Sequence, residues 1–208
     1  MFQNENIISF LKDERKNIHG IMISVLADEV IKQAKISVKN LDAISVSIGP
    51  GSYTGLRVGV SFTKGLAAAL NIPVIAVDTT YIIAENCIEK IVNNEEYFIA
   101  SMIDARRDEI FLAVYNEKLE CIENPQPALL SAELFSAYSH KKLYIAGNGA
   151  EKYFNSEFRK NNVEMIEQIE PLACYMNKIS CKKFNDKLFE NTDLFEPLYT
   201  KEFHGKMV

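Results

Sequence analysis

The sequence predicts an α/β protein made of two successive halves, each a set of strands followed by mixed helix and strand. Three observations carry this. Residues 42–77 read as a buried strand, a glycine-rich turn, a helix and a second short apolar strand, the order of a parallel strand–helix–strand unit. Residues 97–103 and 109–115 are strongly apolar strand patterns on either side of a charged turn. Between these two regions, around residues 92–96, the apolar pattern lapses into two asparagines and two glutamates, so the halves are placed at 1–94 and 95–208.

The bulk composition fits a chain able to bury a full core, with 48% hydrophobic and 25% charged residues over 208 positions. No run approaches the ~20 apolar residues that span a bilayer. The start MFQNENIISF lacks the basic residues and continuous apolar core of a secretory signal, so a cytoplasmic location and no membrane partner are expected. Cys87, Cys121, Cys174 and Cys181 stand far apart without a C-x-x-C pair, which argues against a zinc site and a disulfide framework. With 28 acidic against 23 basic side chains the net charge is -5, so any grip on RNA is expected to come from another chain.

Element by element, residues 6–12 read as a short strand after the turn-like Gln3-Asn4-Glu5, as if the chain begins inside a β-meander. Met22, Ile23, Leu26, Ala27, Val30 and Ala34 recur at helical spacing and predict a helix over 19–34. Strand 42–48 alternates Ile44, Val46 and Ile48 with small serines. A helix over 55–70 is broken by Asn71-Ile72-Pro73, a strand follows at 74–77, and Asp78-Thr79-Thr80 caps a helix reaching about residue 90. In the second half, a third strand is expected over 119–122. It is followed by a short helix near 132–138, a strand at 143–146, a turn at 147–149, a helix over 172–184 and an irregular tail from 196.

The sharpest mark is GPGSYTGLR, residues 49–57. A strand ending in glycines at a helix N-terminus can hold an anion on free backbone N–H groups. The spacing is neither a Walker A loop nor G-x-G-x-x-G, however, and a plain tight turn at Pro50 and Gly51 with Thr54 as cap reads equally well. On the helix, residues ~100° apart put Gly55, Val58, Gly59, Phe62, Leu66, Ala69 and Leu70 on one side, suited to the chain's own sheet. Leu56, Val60, Thr63 and Ala67 form a second apolar stripe, beside a polar edge that includes Arg57 and Lys64. The first helix adds Ile21 and Val25 opposite its core face. Such a helix pair is covered either by a second layer of the same molecule or by a partner's helices.

No catalytic constellation assembles. Pro50 stands where a G-x-S-x-G elbow around Ser52 needs glycine, and none of His19, His140 and His204 has a second histidine at helical spacing, so no metal site is expected. Asp104, Arg106, Arg107, Asp108 and Glu109 form the densest charge cluster, which reads most simply as a solvated hairpin tip.

The run GPGSYTGLRVGVSFTKGLAAALNIPVIAVDT resembles the TsaB family of tRNA threonylcarbamoyladenosine biosynthesis proteins. The likeness extends to MIDARRDEIFLAVY, with Asp104, Arg106 and Arg107 as its second signature, to Gly147-Asn148-Gly149-Ala150 and to Glu196-Pro197-Leu198-Tyr199. The resemblance implies an actin-like, Hsp70-like two-domain architecture. It also implies a non-catalytic scaffold acting with the catalytic paralogue TsaD and the ATPase TsaE, and touching tRNA only through the complex. Docking on TsaD, or on a second copy, would use the two helices, with Ile21, Val25, Leu56, Val60, Thr63, Lys64 and Ala67 as the interface. No cofactor is expected on the chain alone, with a nucleotide left open at the interface of the complex. The catalytic paralogue carries paired metal histidines where this chain has His19 and Ile23. The alternative is an independent ATP-dependent phosphotransferase or metallopeptidase of the same superfamily. The family opens with two strands that are missing here, so further sequence upstream of Met1 is expected.

Overall fold

The computed structural model describes residues 1–15, 19–92 and 95–199, with residues 19–21 as backbone only. In chain order the elements are β1 (Phe2–Gln3), β2 (Asn6–Ile7), α1 (His19–Gln33), β3 (Ile44–Gly49), α2 (Tyr53–Leu70), β4 (Val74–Asp78) and α3 (Thr79–Ile88). Then follow β5 (Tyr97–Asp104), β6 (Glu109–Asn116), β7 (Cys121–Leu129), β8 (Lys142–Ala146), α4 (Ala150–Phe154), β9 (Val163–Ile166) and α5 (Asn177–Asn185).

Two compact units emerge, Met1–Val77 with Leu172–Pro197, and Asp78–Pro171 with Leu198–Val208. This division differs from the expected one after residue 94. The expected border falls inside the second unit, and α3 before it packs on β5. The segment from Leu172 returns to the first unit, where the Glu190 N–H donates to the Val74 carbonyl at 2.9 Å and Lys183 Nζ to the Ala76 carbonyl at 2.7 Å.

In the first unit, β3 and β4 form a two-stranded sheet. The Ile44 N–H donates to the Pro73 carbonyl at 3.0 Å, which joins the starts of the two strands and sets them running the same way. The core is Val60 and Ala67 of α2, Val74 and Ala76 of β4, and Phe195, with Ile44, Val46, Ile48 and Ile72 half-buried around it. The meander expected at 6–12 does not form. Only Asn6–Ile7 pairs with Phe2–Gln3, across a turn with Asn4 and Glu5 at φ 47° and 67°. The Ile8 and Ser9 N–H groups then fold back onto the Met1 carbonyl, which draws the following residues out of an extended line.

The second unit is a five-stranded sheet in the order β7-β6-β5-β8-β9, antiparallel through β5–β6–β7 and parallel through β5–β8–β9. Its central strand is covered on both faces, which explains the nearly unbroken apolar run of β5. Tyr97, Ile99 and Ile103 meet Ile83, Ala84 and Cys87 of α3. The alternate residues Ala100 and Met102, with half-buried Phe98, meet Phe135, Tyr138 and Tyr153.

The third strand runs to Leu129, well past the expected 119–122, and includes Pro125 and Pro127. It lies at the edge of the sheet, where a proline without an N–H leaves no inner neighbour unbonded. The helix expected near 132–138 shrinks to a 3₁₀ turn at Ser136–Tyr138, and the one over 172–184 begins as a 3₁₀ turn, Ala173–Met176, before α5. Strand β9 and the single-turn α4 carry no clear sequence signal.

Candidate functional site

The signature turn is built at the end of β3. Gly49 sits at φ 123°, open to glycine and strained for any L side chain, and is followed by a cis Gly49–Pro50 bond. Ser52, not Thr54, is the N-cap of α2. Its Oγ accepts from the Gly55 N–H at 3.4 Å, and its carbonyl takes the Leu56 N–H at 2.9 Å. Thr54 is exposed on the first turn. Beyond the cap, the Arg57 guanidinium lies 4.0 Å from the centroid of the Tyr53 ring, one helical turn back. Gly51 has open space where a Cβ would stand.

The two stripes of α2 exchange places relative to expectation. Val60, Thr63 and Ala67 are buried inside the first unit, whereas Gly55, Val58, Gly59, Phe62, Leu66 and Leu70 are only half-buried and Ala69 is exposed. This corrects the assignment of Val60, Thr63 and Ala67 to a docking face. Val60 and Ala67 pack with Val74, Ala76 and Phe195, and Gly59 at the border of the other stripe also lies near the sheet, where an added Cβ would stand 3.8 Å from Val46. Lys64 is likewise turned inward, since its Nζ donates to the carbonyls of Asp193 at 3.2 Å and Phe195 at 3.1 Å and ties the returning segment to α2.

Leu56 is half-buried and Val25 is 48% exposed, so both keep apolar surface to offer. The side chain of Ile21 lies outside the described residues. Helix α1 packs on α2. Yet from Met22 to Gln33 none of its side chains is buried, and Met22, Ile23, Leu26, Ala27, Val30 and Ile31 all stay half-covered. The structure thus brings Val25 and Leu56 to adjacent helices and removes Val60, Thr63, Lys64 and Ala67 from their company. Sequence periodicity had marked α1's apolar face, but gave no sign that the fold covers it so incompletely.

The second signature forms a braced turn in the second unit. Gly147, at φ 98°, and Gly149 lie so close to β5 that added Cβ atoms would stand 2.4 Å from the Met102 carbonyl oxygen and 2.8 Å from the Ile103 carbonyl carbon. Asn148 between them accepts the Asp104 N–H on its Oδ1 at 3.0 Å. From α4, Lys152 Nζ donates to Asp104 Oδ1 at 2.6 Å, to the Arg107 carbonyl at 2.7 Å and to the Glu109 carbonyl at 3.3 Å. That ammonium, more than any other group, holds the Asp104 carboxyl below its usual pKa. Lys152 and Asn148 were missed from sequence because their partners lie more than forty positions away. Arg106 and Arg107 are exposed at the tip, at φ 70° and 49°.

Among the described residues no three His, Cys, Asp or Glu side chains gather as metal ligands, and no helix is long and apolar enough to cross a membrane. Residues 14–132, more than half of the chain, match the protein family described as TsaD, tRNA N6-adenosine threonylcarbamoyltransferase. The tRNA threonylcarbamoyladenosine biosynthesis protein TsaB of Buchnera aphidicola is 31% identical over 122 residues, covering 59% of this chain and about half, 53%, of that protein. The protein of the same name from Haemophilus influenzae is 26% identical over 199 residues, covering 88% of this chain and 80% of its own. A crystal structure of an uncharacterized protein with similarity to peptidase YEAZ from Pseudomonas aeruginosa superposes with a TM-score of 0.76 at 19% identity, covering 93% of each chain. The fold is therefore the α/β, actin-like one, and with GPGSYTG and DARRD placed as two built turns the chain belongs to the TsaD family, with relatives that include proteins named TsaB.

Proposed function

We propose that this chain is a non-catalytic subunit in the formation of threonylcarbamoyladenosine in tRNA, acting with a TsaD-type transferase and a TsaE-type ATPase in the cytoplasm. The observation that carries the reading is the half-covered apolar face of α1 beside α2, with Val25 48% exposed. An apolar helix face on a chain with TsaB relatives fits docking on TsaD's own helices, or on a second copy when TsaD is absent. The lack of a second histidine one turn after His19, where Ile23 stands, supports a scaffold over a metal enzyme. The reading gives the isolated chain no cofactor and leaves a nucleotide to the interface of the complex, so calorimetry with ATP and magnesium is expected to show no binding to the chain alone.

The deciding experiment is reconstitution of tRNA modification from purified TsaD and TsaE with and without this chain. Modification is expected to depend on it, and an undiminished rate in its absence overturns the reading. Val25→Asp, which places a charge on the exposed side of α1, is expected to weaken association with TsaD at least tenfold, ~1.4 kcal/mol, while leaving the fold intact.

A further inference from the structure

The β5–β6 turn carries two arginines whose chemistry the proposed function leaves unused. The Arg106 charge adds a minor share to the lowering of the Asp104 pKa, yet neither the Arg106 nor the Arg107 guanidinium makes a hydrogen bond or close ion pair among the described residues, although Asp104, Asp108 and Glu109 lie in the same turn. The nearest carboxylate is already taken, because Asp104 Oδ1 accepts from Lys152 Nζ and from the main-chain N–H of Arg106, both at 2.6 Å.

The turn is also fixed in advance. Lys152 ties it at three oxygens, Asn148 holds its first N–H, and the Ala105 and Glu109 N–H groups close it onto the Glu109 and Arg106 carbonyls, each at 3.2 Å. Both arginines occupy left-handed positions, where turn chemistry favours asparagine and glycine. None of the bonds that brace the turn uses their side chains. The bracing therefore leaves both planar donor forks available on a fixed backbone, a shape that matches a carboxylate bidentately.

Charge selects the kind of partner. Arg106, Arg107 and Lys152 are balanced by Asp104, Asp108 and Glu109, on a chain of net charge -5. Nucleic-acid backbones are held by accumulated positive field, which this tip lacks. A mixed-sign patch around an arginine pair on a fixed backbone fits a protein surface of the opposite pattern, which it would register rather than merely attract. We propose that the Arg106–Arg107 turn is a protein-contact point that reads carboxylates on the surface of a partner subunit. The inference rests on the proposed function for the choice of partners to be tried.

The test compares wild type with the double variant Arg106→Gly, Arg107→Gly, in which glycine keeps the left-handed backbone and removes both forks. Affinity is measured for purified TsaD, for TsaD mixed with TsaE, and for tRNA alone, together with the melting temperature. The expected result is a melting temperature at or above that of wild type, at least a tenfold loss of affinity in one protein arm, and no change in the tRNA arm. Arg106→Lys, Arg107→Lys should restore only part of the loss, since charge returns without the fork. Equal affinities in both protein arms, a loss confined to tRNA, or a fall in melting temperature would each overturn the inference while wild type still binds TsaD. If wild type binds neither protein mixture, the proposed function falls and takes the inference with it.

Discussion

Gly147 meets two constraints at once. At φ 98° an L side chain is strained, and its Cβ would stand 2.4 Å from the Met102 carbonyl oxygen. Gly147→Ala is expected to destabilise by about 2–4 kcal/mol, read as a drop in the urea midpoint, and an unchanged midpoint would count against this packing. Asp104 gives a pH signature. Its carboxyl is held below the ordinary value by Lys152, so the pair contributes above the unfolded carboxylate pKa of about 3.9 and its contribution is lost as pH falls through the folded value. The stability gap between Lys152→Met and wild type should therefore narrow from neutral pH to acid, with the part owed to the Arg107 and Glu109 carbonyls remaining. The difference should be small, because the Asp104 side chain is 42% exposed. Burial pushes the Cys87 thiol up to about 12, whereas Cys121 is exposed. Alkylation followed by mass spectrometry should label Cys121 in the folded protein and Cys87 only in denaturant.

Helix α2 shows which features periodicity can and cannot read. Its extent was legible, within two residues at its start, from residues recurring every three or four positions and from Asn71 beyond its end, which adopts φ 53° as a left-handed C-cap. Which stripe meets the sheet was not, since both are apolar. The structure buries Val60 and Ala67 with Val74 and Ala76, with Gly59 set beside Val46, and leaves the bulkier Phe62 and Leu66 half-buried. Val60→Asp should accordingly cost the first unit at least about 3 kcal/mol, measured by chemical denaturation, while Val25→Asp on exposed α1 leaves the midpoint unchanged. The opposite pattern would restore the original assignment of the stripes. Strand β9 and helix α4 escaped notice because four or five residues are too few for a period to show.

The chain folds by returning on itself. Sequence composition marked a loop near residue 94 and suggested a border there, but a border between compact units is set by which segments share a core. No local pattern announces that Phe195 will join Val60 and Val74. Truncation after Pro171 should leave the amides of β5 and β6 protected from hydrogen exchange and strip protection from β4, whose Val74 carbonyl loses the Glu190 N–H. Equal loss in both places would mean that the units do not hold separately. The two prolines of β7 have a further consequence for this molecule's life in a crowded solution. They sit on the outermost strand of the larger sheet, Pro127 opposite Phe111. A second copy arriving edge to edge would find gaps in the row of N–H donors that a growing fibril needs, so this exposed border is poorly equipped to seed misassembly.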